Sequence, residues 1–303
     1  MDVVETRELA YFLAVARELH FGRAAERLGI AQPPLSRAIA RLERRLGVTL
    51  LERTSRRVAL TPAGETLLAE GAAALDAVTA AVRRTRRAGR AGDGGPRLVL
   101  AMKPGGDGGG LLPAILAAYE REPGALPVEM LFGYGAAQAL RDGRADAALL
   151  YAPRQDLTGL AAEELLEEDQ VAVLPKAHRL ARRAEVSLAD LDGEPRPRLA
   201  NAPDPADPPG GPAGKQADGA ADGPRVHDAG QLMQLIALGR AVAVLPASVR
   251  GLLRDDLTAV PVRDAAPTTL VLAWPETSRS RALAAFVRSA AAVAADFTAS
   301  GLR

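Results

Sequence analysis

Apolar positions in the first ninety residues recur at helical spacing. Leu9, Phe12, Leu13, Ala16 and Leu19 predict an amphipathic helix over 6–19, with Thr6 as its N-cap. A shorter helix is predicted over GRAAERL (22–28), with Ala24, Ala25 and Leu28 turned inward and Gly29 as its stop. After the turn at Ile30–Ala31, a third helix opens on Gln32-Pro33-Pro34, where proline is tolerated because first-turn amides have no intrahelical acceptor. Two strand-like runs, TLLER (49–53) and VALT (58–61), flank the polar turn 54–57. Thr61-Pro62 then reads as the N-cap and first residue of a long helix reaching about Arg87. That helix repeats Leu68, Leu75 and Val82 every seven residues, with Gly71 and Val78 between, a seam suited to pairing with a second helix. The alternative is a stripe packed on its own domain.

From residue 97 the pattern changes to strands alternating with helices. RLVLAM (97–102), PVEMLF (127–132), ADAALLY (145–151), QVAVLP (170–175), AVAVLP (241–246) and TTLVLAW (268–274) read as strands. LLPAILAAY (111–119), AAQALRDG (136–143), QLMQLIALG (231–239) and 280–297 read as helices, and such alternation predicts open, largely parallel α/β sheets. RAGDGGP (90–96) is a joint, and the Pro/Gly/Asp-rich 201–224 is expected to be an irregular surface loop.

Composition narrows the chemistry. The chain has no cysteine, which excludes disulfides, thiolate metal sites and thiol redox sensing. His20, His178 and His227 lie far apart without ligand spacing, so neither a metal nor another cofactor is expected. Asp2, Glu5, Arg7, Glu8, Arg17 and Glu18 break up any signal-peptide core, and no uninterrupted apolar stretch is long enough to span a membrane. The expectation is a cytoplasmic protein without membrane contact. Net charge is only +1, but residues 1–90 carry 16 Arg against ten acidic residues (+6) and the remainder 22 basic against 27 acidic (−5). A basic head on an acidic body points to nucleic acid at one end. Because Lys103, Lys176 and Lys215 are the only lysines, the placement of arginine says more than its presence.

The third helix carries the chemistry. At 100° per residue, Leu35, Ala38, Ile39, Leu42 and Leu46 share one face, while Pro33, Ser36, Arg37, Ala40, Arg41 and Arg44 share the other. Gln, Ser and Arg on a short helix after a helix and a tight turn suit the major groove, where Gln pairs with adenine edges and Arg with guanine or phosphate. Residues 20–64, HFGRAAERLGIAQPPLSRAIARLERRLGVTLLERTSRRVALTPAG, resemble the winged helix-turn-helix of LysR-type transcriptional regulators. The pattern A-A-x-x-L, Q-P-x-L-S, L-E-x-x-L-G, E-R and L-T-x-A-G occurs in order and at the family's spacing. The resemblance makes Gln32, Pro33, Pro34, Ser36, Arg37 and Arg41 the groove-facing set. It places Arg23 near the DNA backbone and Arg53, Arg56 and Arg57 in the wing. One departure is Ala31, where the family has Ser or Thr, which removes a side-chain cap.

The remainder is similar to the family's effector-binding domain, a two-lobed α/β fold of the type 2 periplasmic-binding-protein kind. LRDGRADAALL, EDQVAVLPKAHRLA and LIALGRAVAVLPASV carry that similarity. It implies a winged helix-turn-helix domain over 4–61 (helix-turn-helix 21–40) and a linker and dimerisation helix over 62–90. The effector domain follows over 96–303, with lobe I at 96–165 and 263–297 and lobe II at 166–262. Its cleft would be lined by Lys103, Pro104, Gly105, Gly106, Tyr134, Gly135, Tyr151, Asn201, His227 and Asp228, and Lys103 with the helix N-termini would favour a small anionic effector. The glycine-rich KPGGDGGG (103–110) departs from the family's Ser/Thr-bearing loop. Implied partners are a pseudo-palindromic operator in double-stranded DNA, RNA polymerase and further copies of the chain in a homodimer or homotetramer, with the protein at the nucleoid. Two other readings stay open: the same regulator with a ligand-free cleft, and a cytoplasmic solute-binding module with a helical interaction head. No enzyme is expected. GYGAAQ (133–138) lacks the third glycine of a dinucleotide fingerprint, GGPAGKQ (210–216) lacks the phosphate-loop spacing, and Ser248 has no partners recognisable as a triad.

Overall fold

The structure, a computed structural model, describes residues 4–53, 57–89, 95–133, 135–153, 155–199 and 221–299. The described residues fall into two compact units that divide between Arg84 and Thr85. The first comprises α1 (Thr6–Glu18), α2 (Phe21–Leu28), α3 (Gln32–Leu46), a hairpin of β1 (Leu51–Arg53) and β2 (Val58–Leu60), and most of α4 (Pro62–Gly89). Phe12, Leu35, Ile39 and Leu42, as the helical spacing predicts, form its core together with Leu50 and Leu51. Glycines at the left-handed C-caps, Gly29 and Gly47, end α2 and α3.

The N-caps depart in part from expectation. Thr6 is already helical, and the cap is Glu5 in extended backbone without a side-chain bond. His20 caps α2, its Nδ1 accepting from the Arg23 amide at 3.2 Å. Thr61 caps α4 as predicted: its hydroxyl accepts from Gly64 N at 3.0 Å while donating to Thr49 O at 2.7 Å. Gly64 has a physical necessity, because a methyl group there would overlap the Leu50 carbonyl oxygen. At Gly71, a methyl would come within 2.6 Å of Leu9 Cδ1. The heptad stripe therefore splits. Leu67, Leu68, Ala72 and Leu75 pack on the core of their own unit, whereas Val78 and Val82 are 46% and 43% exposed.

The second unit adds β3 (Leu98–Met102), α5 (Leu111–Tyr119), β4 (Val128–Phe132), α6 (Ala136–Arg141), β5 (Ala147–Ala152), β6 (Leu160–Glu168) and β7 (Gln170–Pro175). After these come β8 (Pro195–Leu199), β9 (Ala221–Val226), α7 (Ala229–Ala237), β10 (Ala243–Pro246), β11 (Leu257–Pro261), β12 (Thr268–Pro275) and α8 (Arg281–Ala299). One sheet runs β4-β3-β5-β12-β6 and another β10-β7-β11, with β8 and β9 paired apart. The expectation of largely parallel sheets is corrected. Only β3 pairs in parallel within the larger sheet, while β12 runs antiparallel to both β5 and β6, and the three-stranded sheet is antiparallel throughout. The physical reason is the route of the chain: it leaves the larger sheet at the end of β6 and returns at that same end into β12, where Thr268 lies opposite Glu168, so β12 runs back between β5 and β6 with no crossover helix, which a parallel neighbour needs. The loop expected over 201–224 lies outside the described residues to 220, and 221–224 belong to strand β9, paired in parallel with β8.

Helices cover the larger sheet on both faces. Leu111, Ile115 and Tyr119 of α5 and Phe286 and Ala290 of α8 bury Leu100, Leu270 and Leu272. Ala137 and Leu140 of α6 close the other face over Val99, Ala148 and Val271. Helix α8 is long and apolar enough to cross a membrane by composition, but Leu283, Phe286, Ala290 and Ala294 are built into this core. The two sheets are joined at two places: β6 passes into β7 through Asp169 alone, and residues 262–267 return the chain from β11 to β12.

Candidate nucleic-acid interface and hinge site

Helix α3 buries Leu35, Ala38, Ile39 and Leu42 and leaves Gln32, Pro33, Pro34, Arg37 and Arg41 exposed, with Ser36 partly so. Ala31 precedes it in extended backbone without a side-chain cap, as its methyl group requires. The Gln32 and Arg37 side chains make no hydrogen bond or ion pair among the described residues, so their donors are available to an incoming partner. Arg23, Arg41 and Arg53 of the predicted set are held within their own unit. Arg23 donates to Glu18 O at 2.6 Å and lies 3.4 Å from its carboxylate, which Arg27 also contacts at 3.0 Å. The Arg27 hydrogen bond, then that of Arg23, keeps the Glu18 carboxyl below its ordinary range. Arg41 Nε is 3.5 Å from the buried Glu8. Arg53 lies over the Phe21 ring, 4.7 Å from its centroid, and 3.1 Å from Glu43. Arg57 is exposed, and Arg56 lies outside the described residues.

Glu43 shows why this interface needs an acid in the L-E-x-x-L-G run. One carboxylate oxygen accepts from the amides of both Leu50 and Leu51, at 2.9 and 3.1 Å, and the other from Arg53 at 3.1 Å. A side chain on α3 thereby fixes the first strand of the hairpin.

In the second unit, the structure brings Lys103, Gly106 and Tyr151 together. Lys103 Nζ sits 4.0 Å from the Tyr151 ring centroid, a cation–π distance, and Gly106 N donates to Lys103 O at 3.1 Å. Pro104 is half-buried beside them. Sequence reasoning missed the centre of this cluster, Glu168, which is 6% exposed at the end of β6. Its carboxylate accepts from the Tyr151 hydroxyl at 3.2 Å and from Ser248 N at 2.8 Å. Burial first, and then the Glu168 charge, pushes the Tyr151 phenol well above its usual range, so it stays a hydrogen-bond donor. Tyr151 lies on β5 and Ser248 in the 3₁₀ segment Ala247–Leu252 after β10, so one buried acid ties the two sheets together. The glycine-rich loop after β3 lies on that same 3₁₀ segment. At Gly105 and Gly109, both with positive φ, an added methyl would come within 3.1 Å of Leu252 and 3.3 Å of Ser248.

The remaining predicted lining residues are elsewhere engaged or beyond the described chain. Gly135 is the exposed N-cap residue of α6. Asp228 caps α7 by accepting from Gln231 N at 2.8 Å, and Gln231 accepts in return from His227 N at 2.8 Å. Tyr134 and Asn201 lie outside the described residues.

Residues 6–65 match the family described as "Bacterial regulatory helix-turn-helix protein, lysR family", and residues 94–295 match "LysR substrate binding domain". The chain is 33% identical over 290 residues to the uncharacterized HTH-type transcriptional regulator YnfL of Escherichia coli (strain K12), covering 90% of this chain and 93% of that protein. It is 30% identical over 298 residues to the regulator BudR of Raoultella terrigena, covering 94% and 99%. A match to the regulator AlsR of Bacillus subtilis (strain 168), 37% identical, spans 63% of each protein. Among solved structures, full-length BenM superposes with a TM-score of 0.53 at 26% identity, over 98% of both chains.

Proposed function

Because this chain belongs to the LysR family of bacterial regulatory helix-turn-helix proteins, we propose that it controls transcription by binding a pseudo-palindromic operator as a homo-oligomer, in response to a small molecule. The family is one of regulators and not of enzymes. The observation that carries the DNA-reading assignment is the outer face of α3: Gln32 and Arg37 stand exposed above a fully packed apolar underside, in a head of charge +6. Gln32, Ser36 and Arg37 read base edges, the two prolines shape the helix entrance, and Arg57 with its wing neighbours meets phosphate. The proposed organisation is a DNA-binding domain over 4–61, a linker helix over 62–90 and an effector domain from 96. Exposed Val78 and Val82 extend the pairing seam of the linker beyond the part used by its own core. In the effector domain, Lys103, Tyr151 and the 103–110 loop border the effector, whose binding biases the sheets about their two crossings and changes contact with RNA polymerase. The protein acts in the cytoplasm, at the nucleoid.

The test is fluorescence anisotropy on the best genomic fragment captured by the purified chain. Arg37→Ala should weaken operator binding by about 10-fold or more and flatten the preference at one base pair, as loss of a bidentate base contact does. Unchanged affinity and base preference would remove Arg37 from the reading set.

A further inference from the structure

Glu8 is an acid where the packing calls for none. It sits on the inner face of α1, 4% exposed, beside Leu9 and Phe12 in a core whose other members are apolar. A carboxylate so placed is tolerated only if charge answers it. The answer comes from α3: Arg41 Nε lies 3.5 Å from one oxygen and Arg45 Nη1 3.3 Å from the other. These are ion-pair distances, and Oε2 has no hydrogen bond of its own. Arg37, Arg41 and Arg45 follow one another at intervals of four and share one row of the helix. Glu8 therefore neutralises the C-terminal part of a basic row whose N-terminal member, Arg37, stays available.

We infer that Glu8 is a positioning residue that takes Arg41 out of the groove-facing set implied by the resemblance, holding it against α1 and away from DNA phosphate and so setting the strength of sequence-independent binding. The inference rests on the reading of α3 as the DNA-facing helix. Each phosphate neutralised adds about 0.9 to the slope of log affinity against log salt. An arginine withheld by a buried acid contributes nothing to that slope. Releasing it should add the full increment, which at 100 mM salt corresponds to roughly 8-fold tighter binding to any duplex. An acid that merely stabilised the fold would move the melting temperature and leave the salt slope alone.

The experiment measures binding of the full-length protein to a duplex of unrelated sequence from 50 to 200 mM salt. It uses the unaltered chain, Glu8→Gln, Arg41→Ala and the double variant. Glu8→Gln should steepen the slope by about 0.9, Arg41→Ala alone should leave it unchanged, and Arg41→Ala in the Glu8→Gln background should remove the gain. An unchanged slope in a folded Glu8→Gln protein would overturn the inference, as would loss of its DNA binding. If Glu8→Gln does not fold, Arg41→Ala decides alone: a slope reduced by about 0.9 shows that Arg41 already meets phosphate and refutes the withholding. Absence of DNA binding by the unaltered chain would instead overturn the assignment of α3 itself.

Discussion

Replacing Glu43 by Ala should loosen the hairpin from the DNA-facing helix. The substitution strips acceptors from two adjacent backbone amides, Leu50 at 2.9 Å and Leu51 at 3.1 Å, in a setting where both residues are buried and the Glu43 side chain is 17% exposed. Hydrogen bonds to a charged acceptor contribute about 1.5–3 kcal/mol each. One oxygen serves both amides and the site keeps some contact with water, so the pair is taken at the lower end, about 2–4 kcal/mol together. The exposed Arg53 pair adds less than about 1 kcal/mol. For a head of this size, that loss corresponds to a fall in melting temperature on the order of 10–25 °C. The molecule supplies its own control. Its single tryptophan, Trp274, lies in β12 of the second unit, so tryptophan fluorescence follows that unit while far-UV circular dichroism also registers the helical head. In urea, Glu43→Ala should shift the dichroism transition and leave the fluorescence midpoint in place. Glu43→Gln, which retains one acceptor oxygen, should fall between. A shift below about 0.5 kcal/mol, or an equal shift of both signals, would refute the reasoning.

Two further predictions concern the second unit. Tyr151→Phe removes the hydroxyl that donates to the buried Glu168, and it should lower the urea midpoint of Trp274 fluorescence by the equivalent of about 1–3 kcal/mol; no change would mean that water replaces the donor freely. The Asp190 carboxyl is held down to about 2, from a usual 3.8, first by the Ser187 amide and hydroxyl and then by Arg183. Its stabilisation is present above the unfolded value and is lost as pH falls through about 2. Ser187→Ala keeps the amide donor but loses the hydroxyl, so the Asp190 midpoint followed by carbon-detected NMR should rise toward 3.8, and an unmoved midpoint would contradict the assigned cause.

The head was legible in the sequence because its signals are local. The apolar row of α3, the stop glycines and the Thr61-Pro62 start each act within one or two turns, and all reappear. What escaped depends on distant residues. LAAEELLEE (160–168) is built from good helix formers and offers no run of β-branched residues, yet it is strand β6, with Leu160, Leu165 and Glu168 buried against its partner β12. Register with β12 overrode local propensity there. The antiparallel turn of the larger sheet was hidden for the same reason, since alternation along a chain does not disclose strand direction. Within the sites, Tyr151 and Lys103 could be placed by resemblance, whereas Glu168 could not, because its partners come from β5 and from a segment 80 residues downstream. Asp228, expected along the cleft, also caps α7. Glu8 gave no signal of burial and is core.

The two strand crossings between the larger and smaller sheets carry a mechanical consequence. One is the single residue Asp169, and the other is 262–267. A body tied to another at two short tethers can turn about the line through them and resists turning about any other. Motion between the sheets is thereby reduced to a single coordinate, like a door on its pins. The effector proposed beside Tyr151 would need only to choose a position along that swing.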